Sequence, residues 1–351
     1  MRRILICMFA SMGAFIAGSY PAPAADVPDS QSSAGPALAA AGGSRVIIAW
    51  AGEQGIDAHK VWYSTYENDT FTPQTEIPGA LTRTAPALAT VDQVVYLATT
   101  PPNADDEIYY YKSLASDAGY FDITPAPLCG ADTCAHTRAA PALVGNRSTL
   151  YAAWTTPTGK IMYATRTNDT WHIFALAVPG AVTSPTTAPA LTIYEGRLYV
   201  AWAAPSGEGV WVASATLPLS SASWSQPVLI PASTKVAPAL GVFNIENPVP
   251  GAAASTVNRL YLAWTSDDAT VNFVRWDSAS GQWQSAASPV SLPSGPLTAD
   301  SPVLLGLAYL SPNMQSECLS NVGWTSRGQP HRSNLAQKGH TCPGVITGPT
   351  P

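Results

Sequence analysis

Charge is scarce in this sequence. Asp, Glu, Lys and Arg make up 11% of its 351 residues, less than half the usual share. Only five of the 17 basic residues are Lys, and the formal net charge is −6. A chain so poor in cations lacks the electrostatic footprint of a phosphate-backbone binder, so no nucleic-acid partner is expected. Long apolar runs are missing beyond the N-terminus, and with them any expected membrane span, which needs about 20 residues. No segment keeps a helical 3.6-residue period across its length. Histidine is rare, at five residues without mutual spacing, and no G-x-S-x-G motif occurs. Cysteine is also rare, no C-x-x-C pair is present, and no His stands at ligand spacing beside both Cys pairs. Zinc chemistry is therefore not expected, and no cofactor motif is legible. What the chain does have is turn formers and rings: 32 Pro, 26 Gly, 11 Trp and 14 Tyr. At 46% hydrophobic it is too apolar for disorder.

The N-terminus reads as an address. Arg2 and Arg3 precede a mostly apolar run from Ile4 to Gly18, followed by Ala22-Pro23-Ala24. This order of charge, short apolar run and small residues is that of a secretory signal peptide. Residues 1–24 are expected to be removed, leaving 25–351 as a single secreted domain, extracellular or periplasmic. Cys7 leaves with the leader, and Cys129, Cys134, Cys318 and Cys342 remain. An even number in an oxidising compartment predicts disulfides. Local pairing gives Cys129–Cys134 and Cys318–Cys342, the second worth about 3 kcal/mol by loop entropy.

The rest is a repeat. Pro36-Ala37-Leu38, Pro86-Ala87-Leu88, Pro141-Ala142-Leu143, Pro189-Ala190-Leu191 and Pro238-Ala239-Leu240 recur, with Pro302-Val303-Leu304 as a sixth copy. The Pro-to-Pro spacings are 50, 55, 48, 49 and 64. After each phrase comes an apolar strand ending in Trp, as in Leu198-Tyr199-Val200-Ala201-Trp202, with Thr99 in place of Trp in the second unit. A third strand carries an aromatic residue: Tyr63, Tyr110, Tyr163, Trp211 or Phe273. A hairpin then leads to Phe71, Trp171, Trp224 or Trp283, and the fourth strand ends in an apolar-Pro-small signal such as Ile77-Pro78-Gly79. In two near-identical hairpins, Asn68-Asp69 and Asn168-Asp169 supply residues that tolerate positive φ. The long fifth spacing is assigned to an insertion from Ile245 to Thr256. Four short strands per unit of roughly 50 residues, six times, predicts an all-β fold, a six-bladed β-propeller.

In such a ring the first strands line a central channel. The loops between second and third strands share one face with the inter-blade segments. Polar groups cluster there: Glu53, Asp57 and His59; Asp105, Asp106 and Glu107; Asp267 and Asp268; Arg327 and His331; Arg83, His136, Arg138 and Asp300. Trp50, Trp154, Trp202, Trp264 and Trp324 end the second strands at the edge of that face. Two readings of these rings stand side by side: packing between blades, and a stacking platform for sugar rings. The acidic clusters lack the spaced oxygen-ligand loop of a calcium site, and no metal is expected. No catalytic constellation can be singled out.

The phrase Ala-Pro-Ala-Leu, followed by Leu-Tyr-Val-Ala-Trp and Val-Trp-Val, resembles the repeat of bacterial and fungal propeller lectins of the fucose-binding type, over residues 34–351. It also resembles the six-bladed sialidase-like propeller superfamily. The first resemblance implies glycan partners, and repetition without a unique reactive cluster suits several equivalent weak sites acting by avidity. The second implies a glycoside hydrolase, and a noncatalytic scaffold for extracellular protein surfaces is a third possibility. Sialidase Asp boxes are out of spacing here, at Ser116–Gly119 and Asp277–Trp283, and the Arg-Ile-Pro signature is missing. The Arg and Glu that the lectins repeat in each blade do not recur at the third strand.

Overall fold

The structure is a computed structural model. It describes residues 32–41, 45–52, 57–67, 70–114, 117–122, 124–219, 224–247, 255–267 and 271–284, with the strands Arg2–Ile6, Ala25–Asp26, Ser288–Ser291, Val303–Leu310, Glu317–Arg327 and Leu335–Gln337. All regular structure among these residues is β, and no helix long and apolar enough to cross a membrane is found.

Each repeat unit folds as an antiparallel sheet in which consecutive strands pair as neighbours. Blade one comprises Ala37–Ala40, Val46–Ala51, Lys60–Glu67, Thr70–Phe71 and Thr75–Leu81. Blade two comprises Ala87–Val91, Val94–Thr99, Tyr109–Leu114, Asp117–Phe121 and Ala126–Pro127. Blade three is Ala142–Asn146, Thr149–Thr155, Ile161–Thr167 and Thr170–Ala175, and blade four is Ala190–Tyr194, Arg197–Ala203, Gly209–Thr216 and Val228–Pro231. The hairpins close as their residue types dictate: Asn168 and Asp169 take φ of 49° and 62°.

Units five and six depart from the simple repeat. Ala239–Asn247 and Ser255–Thr265 are long, paired as far as Asn247↔Ser255. Both ends of the segment assigned to an insertion, Ile245–Asn247 and Ser255–Thr256, thus extend a hairpin, and residues 248–254 between these strands lie outside the described residues. The extension gives the first strand a free edge. Ile245 and Glu246 pair in parallel with Ala308 and Tyr309 of the sixth unit, fusing both units into one ten-stranded sheet. In that sheet Arg2–Ile6 lies antiparallel beside Glu317–Arg327.

The core lies between blades. The second strand is apolar on both faces because a sheet covers each: Leu198, Tyr199, Val200, Ala201 and Trp202 are all 0–4% exposed. Each hydrophobic cluster joins two consecutive blades. Ile47, Ala49 and Tyr63 of blade one pack with Leu88, Leu97, Tyr111 and Phe121 of blade two, and the clusters between later blades repeat the pattern.

An aromatic contact recurs at each described seam from blade one to blade four. Tyr63 meets Phe121 at 5.8 Å and 73°, Tyr110 meets Trp171 at 5.6 Å and 74°, and Tyr163 meets Trp224 at 5.3 Å and 72°. These are edge-to-face pairs between a third strand and the outer aromatic of the next blade. At two of these seams a hydrogen bond accompanies the contact. Trp202 Nε1 donates to the carbonyl of Gly180 in blade three at 3.3 Å. Blade two has Thr99 at the Trp position, and there the Tyr111 hydroxyl donates to the equivalent carbonyl, Gly79, at 3.3 Å. A neighbouring strand thus makes the bond that the missing indole would have made. The first strands also approach closely. A Cβ on Gly145 would lie 1.9 Å from the Thr90 carbonyl oxygen of blade two, so this position needs glycine.

Cys129 and Cys134 are disulfide-bonded across a short hairpin. Cys318 sits on the strand Glu317–Arg327 and Cys342 lies outside the described residues, so the Cys318–Cys342 pairing remains an expectation.

Removing a seam contact should loosen the whole ring. Trp202→Ala is expected to cost about 3–5 kcal/mol, and Tyr111→Phe, which deletes one hydroxyl, about 1 kcal/mol. Urea unfolding midpoints measure both; a Trp202→Ala loss no larger than that of Tyr111→Phe would contradict the packing described.

Candidate functional site

The second-strand tryptophans are core residues. Trp50 and Trp202 are 0% exposed, and Trp154 and Trp264 are 2% exposed. Trp154, Trp202 and Trp264 pack against the preceding blade, and Trp202 is held by the bond to Gly180. No ring face is open to a sugar, so the stacking expectation for Trp50, Trp154, Trp202 and Trp264 is corrected to inter-blade packing. Trp324 lies on the strand Glu317–Arg327, and its side chain falls outside the description.

The accessible positions are one strand further out. Directly opposite Trp50, Thr99, Trp154, Trp202 and Trp264 stand Trp62, Tyr109, Met162, Trp211 and Asn272. All five are half-buried. They begin the third strand, beside the loop that leaves the second. Trp62 has the richest surroundings. Lys60 Nζ lies 5.9 Å from the centroid of its ring, 3.0 Å from Glu76 Oε2 and 3.4 Å from Asp57 Oδ1. Trp62 and Glu76 face each other across the sheet in register. The hydrogen bond to Glu76 holds the Lys60 ammonium above its ordinary pKa. Blade one thus sets a flat indole beside a cation and two carboxylates. In blade two, the Tyr109 hydroxyl donates to Glu107 Oε2 at 3.2 Å. In blade four, Trp211 is flanked by Leu229, its cross-strand neighbour, which is 39% exposed.

The clustered polar groups of the loop face are brought together in pairs that tie consecutive units. Asp106 accepts from Arg83 at 2.7 Å and from Arg138 at 2.9 Å, and so joins the entries of blades two and three. The hydrogen bond from Arg138 and then that from Arg83 hold its carboxyl below the usual range. His136 Nδ1 lies 3.0 Å from the Asp105 carbonyl, and His59 Nδ1 lies 3.2 Å from that of Thr82. Asp267 accepts from Ser233 Oγ at 2.7 Å, with Lys235 Nζ at 4.0 Å. Glu53, Asp268, Asp300 and His331 lie outside the described residues, and Arg327 is described in backbone only. No group of three or more His, Cys, Asp or Glu able to hold a metal is found among the described residues.

Two features escape a reading of the sequence alone. Arg166, 8% exposed, is clasped between Tyr96 and Tyr110, with its guanidinium carbon 5.3 and 5.2 Å from their centroids. It also donates to Tyr96 Oη at 3.2 Å and to Asp169 Oδ1 at 2.6 Å. Trp276 faces Tyr199 in the corresponding place at 6.1 Å. The second feature is a set of buried hydroxyls, Ser32, Thr82, Thr137 and Thr234, all 0% exposed. Each donates to the carbonyl two residues on. Their signal is positional, because each stands four residues before the Pro of a Pro-Ala-Leu phrase. These turns aim the phrase at the ring axis. There, five copies of it line a central cavity of about 540 Å³.

No protein-family model matches the sequence, and no curated protein does. Solved structures match in fold. Aleuria aurantia lectin in complex with Fucα1-6GlcNAc superposes with a TM-score of 0.56 at 12% identity, covering 88% of this chain and 96% of that one. The structure of that lectin described as a six-bladed β-propeller with a novel fucose recognition mode gives 0.55 at 14%, covering 87% and 96%. AofleA from Arthrobotrys oligospora gives 0.56 at 11%, covering 86% and 85%. The resemblance to propeller lectins is thus one of fold, and the architecture is the six-bladed ring that the repeat predicts.

The Asp106 ties have a pH signature. A carboxyl whose folded pKa is depressed stabilises the fold above the ordinary carboxylate range, near pH 4. That stabilisation is lost as pH falls through the folded value. Asp106→Asn should lower the melting temperature at pH 7, and the gap to the wild type should close below about pH 4. A gap constant from neutral pH into that acid range would show that the ion pairs contribute nothing.

Proposed function

We propose that this protein is a secreted carbohydrate-binding propeller that takes saccharides at the start of its third strands, with Trp62 as the first platform. The observation that carries the reading is the half-buried Trp62 ring beside Lys60, Asp57 and Glu76. A pyranose offers an apolar C–H face and a rim of hydroxyls. A flat indole suits the first, and a cation and carboxylates, which donate and accept hydrogen bonds, suit the second. Trp211 supplies a second, more apolar platform. Sites that differ from blade to blade, each weak, act together on a multivalent glycan.

The fold shared with lectins supports this reading, as do the leader-like N-terminus and the Cys129–Cys134 disulfide. Secretion with cleavage after Ala24 would remove the strand Arg2–Ile6 and leave that edge of Glu317–Arg327 open.

The test is a glycan array with the oxidised mature protein, run beside Trp62→Ala and Trp154→Ala. Trp62→Ala should lose most glycan binding at an unchanged melting temperature. Trp154→Ala should lose about 3–5 kcal/mol of stability. Undiminished binding by Trp62→Ala, or no glycan bound by the wild type, would overturn the proposal.

A further inference from the structure

Blades one to four each end in an outer strand at the edge of its sheet. An open strand edge pairs with other chains unless charge, proline or a bulge blunts it. Blade one carries Glu76 and Pro78 in its outer strand Thr75–Leu81, with a register shift beside it. Blade two carries Asp117 in Asp117–Phe121 and Pro127 in Ala126–Pro127. In blade four, Pro227 precedes the strand Val228–Pro231 and Pro231 ends it. Blade three departs from this pattern. Its outer strand Thr170–Ala175 reads Thr-Trp-His-Ile-Phe-Ala, without Asp, Glu, Lys, Arg or Pro, and it pairs with the third strand in unbroken register. Phe174 on this strand is 43% exposed.

The hairpin fixes which of its backbone groups face outward. Thr167 and Thr170 flank the two-residue turn Asn168-Asp169 and pair with each other. Bonds to the third strand therefore fall on the even-numbered residues, and Leu176 N continues the series by donating to the Ile161 carbonyl. Trp171, Ile173 and Ala175 turn their N–H and C=O groups away from the sheet. The Cys129–Cys134 disulfide loop of blade two lies against them. A Cβ on Gly130, inside that loop, would be 3.5 Å from both the Trp171 carbonyl oxygen and Ile173 Cγ1. Leu128 and Ala135, on either side of the loop, pack with Trp171 and Ile173. The tip of the loop, residues 131–133, is exposed, and Asp132 brings there a charge that the strand lacks. Burial does not hold this tip. The disulfide does, with the bond from Gly130 N to the Thr133 carbonyl at 2.8 Å.

We infer that the Cys129–Cys134 loop guards this edge, and that reducing its disulfide frees Thr170–Ala175 to pair with the same strand of a second copy of the chain. A dithiol reductant supplies two electrons and two protons: the S–S bond breaks, two thiols form, and the reductant closes to its own disulfide. The strand itself selects a second copy as its partner. An antiparallel pair about a two-fold axis at Ile173 exchanges both Ile173 hydrogen bonds and sets Trp171 against Ala175 of the other copy. Every outward group then meets its equivalent, and the contact closes at two chains. The same register lays His172 beside Phe174 of the other copy and covers the exposed ring. With a formal charge of −6, two copies repel each other, and an uncharged strand is where they meet at least cost. The chain already satisfies a free edge in this way within itself, where Ile245 and Glu246 pair with Ala308 and Tyr309.

The experiment is sedimentation of the full mature protein over a range of concentrations, oxidised and in a dithiol buffer. The oxidised protein should stay monomeric, and the reduced protein should move to twice that mass as concentration rises. Cys129→Ser combined with Cys134→Ser should do the same without reductant, which assigns the effect to this disulfide. His172→Lys combined with Ala175→Pro gives the strand the charge and the proline that outer strands of the other blades carry. Both positions are exposed, and the Ala175 N–H points outward, so the bonds to the third strand are kept; the melting temperature checks the fold. This edge variant should remain monomeric in the dithiol buffer, a comparison that holds even where the double Ser variant does not fold. Glycan binding enters none of these measurements, so failure of the saccharide reading is told apart from failure here. Oxidised protein that associates as strongly as reduced protein, reduced protein that stays monomeric, or a reduced dimer indifferent to the edge substitutions would overturn the inference.

Discussion

From blade one to blade four, a third-strand tyrosine meets the outer aromatic of the following blade edge-on, and this contact turns a row of hairpin sheets into a ring. A four-stranded sheet of this size cannot bury both faces of its second strand by itself. It needs a neighbour on each side, so the stability of a blade belongs largely to its seams. The edge-to-face geometry, close to 73° in all three pairs, adds orientation to burial. It fixes how far each blade is rotated against the last. The glycine-carbonyl bonds made by Trp202 and Tyr111 act at the same seams from the neighbouring strands.

That constraint decides where a ligand can go. Residues that recur in register on a covered strand are consumed by the seams, however suitable their chemistry. What the seams leave over is the third-strand start, where the sheet meets the loop face, and the axis, where the first strands face one another. The first varies from blade to blade, through Trp62, Tyr109, Met162, Trp211 and Asn272. The second is nearly invariant, built from copies of one phrase. Variation at one place and repetition at the other follow from the physics of a ring. Rim positions each face their own surroundings, whereas axial positions must meet equivalent copies of themselves.

The polar loop residues illustrate the same economy. Asp106 with Arg83 and Arg138, and Asp267 with Ser233 and Lys235, are inter-unit ties first. Arg166 is another, a buried cation between two tyrosine rings where the corresponding seam between blades four and five has the Trp276–Tyr199 pair. A charge and an indole can hold the same place because each presents a flat surface to a tyrosine face.

The sequence by itself determined the strand pattern, the unit length, the positive-φ turn at Asn168-Asp169 and the local Cys129–Cys134 pair. All of these are written in residues close together along the chain. The tertiary structure alone decided that Trp50, Trp154, Trp202 and Trp264 are closed to ligands, because the atoms that cover Trp154, Trp202 and Trp264 come from the preceding blade. It alone revealed that both ends of the fifth unit's extra segment extend a hairpin, fusing two sheets, since a free strand edge has no signature until a partner strand is placed beside it. It also turned a Ser or Thr four residues before Pro-Ala-Leu from an unremarked spacing into a clamp. A hydroxyl's role depends on which carbonyl folding brings within reach, and the five Pro-Ala-Leu phrases meet only when the ring has closed.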